Sequence, residues 1–238
     1  MKVTLLSHTK DIESLIAAAA RTCYSKDTTE QIFETMADDP EKNRQFIQRL
    51  RDMGHESPLE HVSFTFGIDG VSRALTHQLV RHRVASYSQQ SQRYVSGTKF
   101  DFVTPPSIIK NPSLQLAYSK FLMQSMEMYE ALTANGIPKE DARYLLPNAT
   151  TSNIVVTMNV RELLHFFSVR CCTRAQWEIR ELAWKMLDLC KKVSPTLFAD
   201  CGAFCDQKGY CKEGSMSCGK RPVLENMLLN HKEENTNE

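Results

Sequence analysis

Helical segments dominate this sequence, and only three short stretches have the residue pattern of a β-strand. Capping residues, with Asp11 as the expected N-cap of the first helix, and helix breakers predict helices over residues 11–21, 40–53, 71–83, 112–134, 138–145, 160–172 and 174–193. Strands are predicted over residues 3–6, 61–69 and 152–158, and a long polar loop over residues 86–106. Because helix exceeds strand, we predict an α+β fold with a helix-rich single domain over residues 1–195.

The composition is typical of a globular protein, with 42% hydrophobic and 24% charged residues and a net charge of +1. The longest purely apolar run, residues 15–20, is far too short to cross a membrane. The first residues also lack the apolar stretch of a signal peptide. We therefore expect a cytoplasmic protein with no membrane partner, whose eight cysteines are reduced thiols.

Residues 196–238 form a Cys- and Gly-rich extension whose last eight residues are polar and acidic, and we expect that tail to be disordered. Four thiols in the extension could bind zinc tetrahedrally: Cys201, Cys205, Cys211 and Cys218. Their spacings of three, five and six intervening residues fit paired zinc ligands poorly. We predict no metal, although both free thiols and a structural metal remain open on the residues alone.

Positive charge is concentrated in residues 71–100, which contain no Asp or Glu but carry Arg73, Arg81, Arg83, Arg93 and Lys99. On a helix over residues 71–83, Val71, Ala74, Leu75 and Leu79 would form an apolar stripe with Gln78 and His82 in its middle. Polar groups on a buried face need partners. Clustered guanidinium groups repel one another unless an anion lies between them, and arginine binds phosphate through two hydrogen bonds.

The segment after this helix, residues 86–94, is dense in hydroxyl and amide side chains. Such groups can contact a phosphate or the edge of a base, but they are also typical of a solvated surface loop. The residues alone therefore predict an anion site around residues 78–93 without naming the anion.

Residues 81–83, Arg-His-Arg, are followed by seven residues and then Ser91. This spacing resembles the RHR-X7-S signature of the flavin-dependent thymidylate synthases, and Arg93-Tyr94 extends the match. Further blocks are similar to the family pattern in the same order: Gly-His-Glu-Ser-Pro-Leu-Glu-His at 54–61, Phe-Thr-Phe at 64–66, Arg143 before Leu-Leu-Pro at 145–147, Asn-Val-Arg at 159–161, Arg170, and Ala-Gln-Trp-Glu-Ile at 175–179. The resemblance spans residues 1–195.

The resemblance implies an activity, cofactors and an assembly. The implied reaction is reductive methylation of dUMP to dTMP, with 5,10-methylenetetrahydrofolate as carbon donor and FAD as a hydride carrier that NADPH reduces. It also implies a small, mainly antiparallel sheet and a homotetramer with sites at subunit interfaces, so the residues of one site need not converge within one chain. The scheme needs no protein nucleophile, and Ser91, Cys171 and Cys172 are not assigned that role.

The resemblance also implies roles for individual residues. The implied dUMP-binding residues are Gln78, Arg81, Gln89, Gln90, Ser91, Gln92, Arg93, Arg143 and Arg170, and Arg170 would be catalytic by polarising the uracil ring. The implied FAD-binding residues are Ser57, Arg81, His82, Arg83, Gln89, Asn159, Arg161 and His165, and His55 would stack on the flavin or folate ring. The chain departs from the family at Ser88-Gln89, where Asn-Glu is usual, and at His165, where Asn is common.

On the helix predicted over residues 160–172, Arg170 lies on an apolar face. Arg170 lies seven residues after Leu163 and shares its face, which also carries Phe166 and Phe167. An arginine there either binds a partner or extends to solvent at the helix end. A second face carries Arg161, His165 and Ser168 at positions i, i+4 and i+7, which is typical of a solvated face or of a cofactor site at an interface.

Two other function classes compete with this interpretation. The Arg-rich stretch with Tyr87 and Tyr94 could bind a phosphate backbone and stack bases. The net charge of +1 and the small extent of the cluster disfavour that nucleic-acid-binding module, and we expect no nucleic-acid partner. A zinc-dependent hydrolase is disfavoured because the sequence has no H-E-x-x-H. It also lacks G-x-G-x-x-G and a P-loop, so arginines and helix ends would have to hold phosphate groups.

Overall fold

The computed structural model of the chain describes residues 1–95 and 101–224. These residues divide into two compact units. The first unit comprises residues 1–4 and 67–156, and the second comprises residues 5–66 and the described residues from 157 onward. The acidic tail predicted to be disordered and Lys99 lie outside the described residues. No helix within residues 1–95 or 101–224 is long and apolar enough to cross a membrane.

The sheet has four antiparallel strands: β1 (Lys2–His8), β2 (Ser63–Ser72), β3 (Ala85–Gln89) and β4 (Thr151–Asn159), in the order β1-β2-β4-β3. The three predicted strands are confirmed, each slightly longer than predicted. Side chains alternate along β2, where Phe64, Phe66 and Ile68 are fully buried. This alternation is the period of two that places one strand face in the core.

Strand β3 was not predicted, because its residues fall in the segment expected to be a loop. Its side chains are only half-buried or exposed, so it has no apolar alternation that would mark it as a strand. It is an edge strand beside β4, and the backbone hydrogen bond from Gln90 N to Asn153 O (2.9 Å) continues the pairing past its end. Pairing with β4, a long-range interaction, therefore determines that this segment forms a strand.

The first unit contains four helices within the described residues: α4 (Arg73–Leu79), α5 (Pro106–Ile109), α6 (Pro112–Ala134) and α7 (Lys139–Ala142). The bounds of α6 are those predicted, because local groups set both ends. Asn111 caps it by accepting from Leu114 N (3.3 Å), and Asn135-Gly136 follows its last residue, with Gly136 at a φ of +85°.

The second unit contains α1 (Ile12–Thr22), α2 (Thr29–Ala37), α3 (Pro40–Asp52), α8 (Val160–Arg170), α9 (Trp177–Val193), α10 (Pro195–Phe198) and α11 (Phe204–Lys208). Helices α2, α10 and α11 were not predicted. The core centres on aromatic rings, and Phe198 packs edge-on against Phe64 (5.6 Å) and Phe167 (6.1 Å). Phe198 lies beyond the predicted boundary at residue 195, yet it is fully buried in this core.

Asp11 is the N-cap residue of α1, as predicted, but its φ of 49° is left-handed and its side chain makes no capping hydrogen bond. One predicted helix is too long. The helix predicted over residues 71–83 is only the seven-residue α4. Ser72 caps its start, and the hydroxyl of Tyr87 in β3 lies 2.8 Å from the Leu79 carbonyl and 2.7 Å from the His82 carbonyl. That hydroxyl replaces helical N–H partners, so residues 81–83 form a turn.

Candidate active site

The turn after α4 presents two arginines to solvent. Arg81 and Arg83 are exposed, whereas His82 between them is only 7% exposed. Within the described residues, neither guanidinium lies within ion-pair distance of a carboxylate. Exposed, uncompensated arginines beside a polar strand suit an external anion, such as a phosphate, better than a structural role.

Gln89, at the end of β3, is fixed by two hydroxyl groups. Its Nε2 donates to Thr76 Oγ1 (3.0 Å) and to Ser152 Oγ (3.2 Å), and both of those residues are buried. The Thr76 hydroxyl donates its own proton to the Arg73 carbonyl (3.0 Å), so Thr76 can only accept from position 89. An amide supplies the required donor and an ionised carboxylate does not.

Gln78, one turn before residues 81–83, is half-buried, and its Nε2 donates to the Ala74 carbonyl (3.3 Å) in α4. The apolar stripe predicted around it is confirmed in part, since Leu75 and Leu79 are fully buried in α4 but Ala74 is half-buried. Val71, however, belongs to β2 instead of the helix. Gln78 therefore lies at the edge of the buried face.

Residues 91–95 are tied to α7 by two contacts, from Lys139 and from Glu140. Ser91 Oγ accepts from Arg93 N (3.1 Å), and Lys139 Nζ donates to the Tyr94 carbonyl (3.3 Å). Arg93 pairs with Glu140 at 2.6 Å, both half-exposed, and its guanidinium lies 5.6 Å from the Tyr94 ring centroid. The predicted dUMP residues Gln90, Ser91 and Gln92 are half-buried and lie between β3 and this anchored arginine.

The charge of Arg143 acts on Arg73, an arginine that the sequence did not assign to the site. The chain just after Arg143 runs beside the start of α4, because Ala74 N donates to Asn148 O and Arg73 N donates to Thr150 O, both at 3.1 Å. Burial lowers the pKa of Arg73, and the positive charge of Arg143 lowers it further. Within the described residues, Arg73 has no carboxylate partner.

Two arginines whose charges act on each other, with no carboxylate on Arg73 among the described residues, suit a bound anion. Arg143 is oriented by its Nε, which donates to the Glu140 carbonyl (3.1 Å). The sequence signal for Arg73 was its position in the acid-free stretch. Its pairing with Arg143 is visible only once the fold brings position 73 beside residues 143–150.

In the second unit, Arg161 lies in the first turn of α8, which packs against the 3₁₀ turn Ser57–His61. Arg161 pairs with Glu60 and, at 3.5 Å, with Glu56. The hydrogen bond that Arg161 donates to Glu60, together with the charges of Glu60 and Glu56, raises the pKa of Arg161. The predicted FAD residues Ser57 and Arg161 are thus brought into one region of this unit.

The other residues of this unit that are predicted to contact the flavin are exposed or cap the start of α8. Asn159 Oδ1 accepts from Glu162 N (2.9 Å) as the N-cap of α8, which leaves its amide group for other partners. His55 and His165 are exposed. Ser168 Oγ donates to the His165 carbonyl (2.8 Å), so Ser168 is used within the helix.

Arg170 is the last residue of α8 and lines a cavity of about 250 Å³. Leu163, Phe166 and Phe167 on its face are fully buried, as predicted, and Arg170 is half-buried at the edge of that face. Burial lowers the pKa of Arg170. A partly desolvated guanidinium stabilises negative charge more strongly than one in water.

The cysteines of the extension are mostly inside the second unit. Cys201, Cys205 and Cys211 are buried and Cys218 is exposed, and all of them are free thiols. Among residues 1–95 and 101–224, no group of three or more His, Cys, Asp or Glu side chains is placed to hold a metal ion. Burial raises the pKa of Cys171 to about 12, so this thiol remains protonated at neutral pH.

The predicted site residues belong to both units. All the implied dUMP residues except Arg170 lie in the first unit, whereas Ser57, Asn159, Arg161 and His165 lie in the second. Within each unit, the structure groups them as described above.

Comparison with known proteins decides the family. A family model described as "Thymidylate synthase complementing protein" matches residues 4–196. A flavin-dependent thymidylate synthase from Geobacter sulfurreducens is 50% identical over 230 residues, which covers 96% of this chain and 98% of that protein. The chain belongs to the flavin-dependent thymidylate synthase family. Relatives of the same name from Nitratidesulfovibrio vulgaris and Pyrococcus abyssi are 48% and 44% identical, covering 95% and 93% of this chain and 97% and 94% of theirs.

The family match also bears on the C-terminal extension. The family model ends at residue 196, but the Geobacter flavin-dependent thymidylate synthase leaves only 4% of this chain unmatched, the complement of its 96% coverage. The alignment therefore includes most of the extension, although the predicted division at residues 195 and 196 stays a prediction. Family membership favours an enzyme over the nucleic-acid-binding module and the zinc-dependent hydrolase.

Proposed function

We propose that the chain is an FAD-dependent thymidylate synthase that reductively methylates dUMP to dTMP in the cytoplasm, for de novo thymidylate synthesis. The observation that carries this proposal is that the backbone of Arg73 is bonded to the chain that follows Arg143, and that the charge of Arg143 acts on Arg73, in a member of this family. Two neighbouring arginines without a carboxylate on Arg73 suit a phosphate.

The dUMP site is assigned to the residues of the first unit. Arg73, Arg81 and Arg143 bind the phosphate. Arg93 pairs with Glu140 at 2.6 Å, and it leaves that carboxylate to bind the phosphate as well. That ion pair is half-exposed and its loss costs little. Gln78 and the residues that follow β3, Gln90, Ser91 and Gln92, contact the sugar and base. Gln89 holds the strand in register through Thr76 and Ser152.

The flavin is assigned to arginines and a helix start instead of a glycine-rich turn. In the first unit, Arg81 and Arg83 have no carboxylate among the described residues and suit the phosphates of a dinucleotide. In the second unit, Arg161 lies at the N-terminal end of α8, where Glu56 and Glu60 hold it. Ser57, His82, Gln89, Asn159 and His165 complete the assigned set, and His55 stacks on the flavin or folate ring. Bound FAD supplies hydride transfer, the chemistry that side chains cannot perform.

Arg170 is the catalytic residue of the proposal. Its half-buried guanidinium stabilises the negative charge that develops on the uracil carbonyls as C5 becomes nucleophilic. No cysteine or serine attacks the substrate: Cys171 is protonated, and Ser91 Oγ accepts a hydrogen bond from Arg93 N within its turn. The reductant is NADPH and the carbon donor is 5,10-methylenetetrahydrofolate, and the active assembly is a homotetramer with sites completed between subunits.

An absorption spectrum of the purified protein, recorded during titration with dUMP, tests the proposal. We expect flavin bands that shift on addition of dUMP but not of CMP. Arg143→Gln should weaken the dUMP response about tenfold or more, in line with the loss of a charge-assisted hydrogen bond. Arg44→Gln, which removes a surface arginine that pairs with Glu41, is the matched control and should leave the titration unchanged. A protein that takes up neither FAD nor dUMP would refute the proposed activity.

A further inference from the structure

Tyr87, in β3, joins that strand to the turn that carries Arg81 and Arg83. Its side chain is half-buried, and its hydroxyl oxygen lies 2.8 Å from the Leu79 carbonyl oxygen and 2.7 Å from the His82 carbonyl oxygen. A phenol has one proton to donate, so the two carbonyls share it. All of these residues belong to the first unit. One side chain thus bridges the end of α4 and the residue between the two arginines.

The face of β3 that carries Tyr87 is the face that contacts α4. Tyr87 and Gln89 are two residues apart, so their side chains lie on the same side of the strand. Gln89 donates to Thr76 Oγ1 within α4 at 3.0 Å, and Tyr87 bonds the last residue of that helix. On the opposite side of β3, Ser86 and Ser88 are exposed. The pleat of the strand therefore directs both polar side chains onto α4 and the turn after it.

His82, the residue between the two arginines, is restrained by its backbone and by its burial. Its N–H donates to the Leu79 carbonyl at 3.1 Å, and its side chain is only 7% exposed. The carbonyl of His82 belongs to the peptide bond that leads into Arg83, and the Tyr87 hydroxyl bonds this carbonyl. Because both sides of the His82 backbone are bonded, the two arginines extend from a backbone of fixed conformation.

We propose that Tyr87 is a positioning residue, which fixes the backbone of Arg81 and Arg83 so that both guanidinium groups are placed to bind phosphate. The identity of the ligands rests on the proposed function, which assigns both arginines to FAD and Arg81 to dUMP as well. Both arginines are exposed, and among the described residues no carboxylate lies within ion-pair distance of either. Ordering a free backbone segment costs conformational entropy, and a turn that is ordered before binding avoids that cost when the ligand binds.

The test compares the full-length Tyr87→Phe variant, which keeps the ring, with Tyr118→Phe. Tyr118 is also half-buried in the first unit, and its hydroxyl donates to the Val103 carbonyl at 3.2 Å. Dissociation constants are measured for FAD and riboflavin, and for dUMP and deoxyuridine on the FAD-loaded protein. We expect Tyr87→Phe to weaken FAD and dUMP about five- to thirtyfold, the effect of ordering one backbone residue on binding. Riboflavin and deoxyuridine lack phosphate and should stay within about twofold. Tyr118→Phe should bind all four like the wild type.

Two further measurements separate positioning from a general loss of stability. At saturating substrate, the turnover of Tyr87→Phe should stay within about twofold of the wild type, because the arginines of the turn bind phosphates instead of the reacting atoms. Tyr87→Phe should also weaken FAD less in an Arg83→Gln background than in the wild type, because residues that act together are not additive. Thermal unfolding of each variant verifies that binding is measured on folded protein, and Tyr87→Phe and Tyr118→Phe should lose similar stability.

Equal affinities of Tyr87→Phe and Tyr118→Phe for FAD and dUMP would overturn the inference. A loss for riboflavin as large as that for FAD, or full additivity with Arg83→Gln, would overturn it as well. The proposed function would stand in each of these cases, provided that the wild-type protein binds FAD and dUMP. A wild-type protein that binds neither would instead refute the proposed function and, with it, the assignment of the two arginines to phosphates.

Discussion

Gln89→Glu is the substitution for which the structure gives the most specific expectation. It replaces an amide donor with a carboxylate of nearly the same shape at the end of β3. Gln89 Nε2 donates to Thr76 Oγ1 (3.0 Å) and Ser152 Oγ (3.2 Å). The Ser152 hydroxyl can rotate and donate to the new carboxylate. The Thr76 hydroxyl cannot do so without abandoning the Arg73 carbonyl, to which it donates at 3.0 Å.

The expected cost therefore comes from Thr76. The buried Thr76 hydroxyl oxygen, an acceptor, is left facing the negative charge of the new carboxylate. This lowers the free energy of unfolding by about 1–3 kcal/mol. For a chain of 238 residues, a loss of about 2 kcal/mol corresponds to a fall in Tm of roughly 4–8 °C. The affinity for dUMP should also fall, because Gln90 and Ser91, which are assigned to the substrate, follow β3 directly.

The assay is thermal unfolding of Gln89→Glu beside Gln124→Glu, which introduces the same charge at an exposed position of α6 in the same unit. The control should change stability by less than about 0.5 kcal/mol. Acidification should narrow the gap between Gln89→Glu and the wild type, because a protonated carboxyl can donate to Thr76. Equal Tm values for the two variants at neutral pH would refute the argument that Thr76 accepts from position 89.

Four further outcomes are expected. Arg73→Gln should weaken dUMP about tenfold but leave deoxyuridine unchanged in the same titration, because the guanidinium is assigned to the phosphate; equal losses for both ligands would contradict this. Arg170→Ala should lower turnover about a hundredfold or more with dUMP still bound, and full turnover would exclude its catalytic role. Burial raises the pKa of Glu162, and for an acid a raised folded-state pKa means stability is lost as pH rises through that pKa. Glu162→Gln should therefore flatten the pH dependence of Tm above pH 4.5, the ordinary value for Glu, and an unchanged profile would contradict this. In native protein, exposed Cys23 should react with a thiol reagent well before buried Cys171, whose pKa of about 12 keeps it protonated, and simultaneous reaction would show that the second unit opens.

The sequence determined those features that depend on groups close together in the chain. The bounds of α6 follow from Asn111 at one end and Asn135-Gly136 at the other. The N-cap at Asp39 predicted the start of α3, and its side chain accepts from Lys42 N at 3.0 Å. The motif spacing around residues 81–93 identified the family, because the order and separation of residue types survive without any knowledge of the fold.

Tertiary structure decided the features in which distant segments compete with local preference. The Tyr87 hydroxyl ends α4 early, so residues 81–83 turn instead of continuing a helix. Long-range backbone hydrogen bonds place Arg73 beside the chain that follows Arg143. The packing of the extension brings Lys212 to the cavity of Arg170. Local pattern cannot reveal these contacts, because each depends on the free energy of burying and pairing groups that lie far apart in sequence.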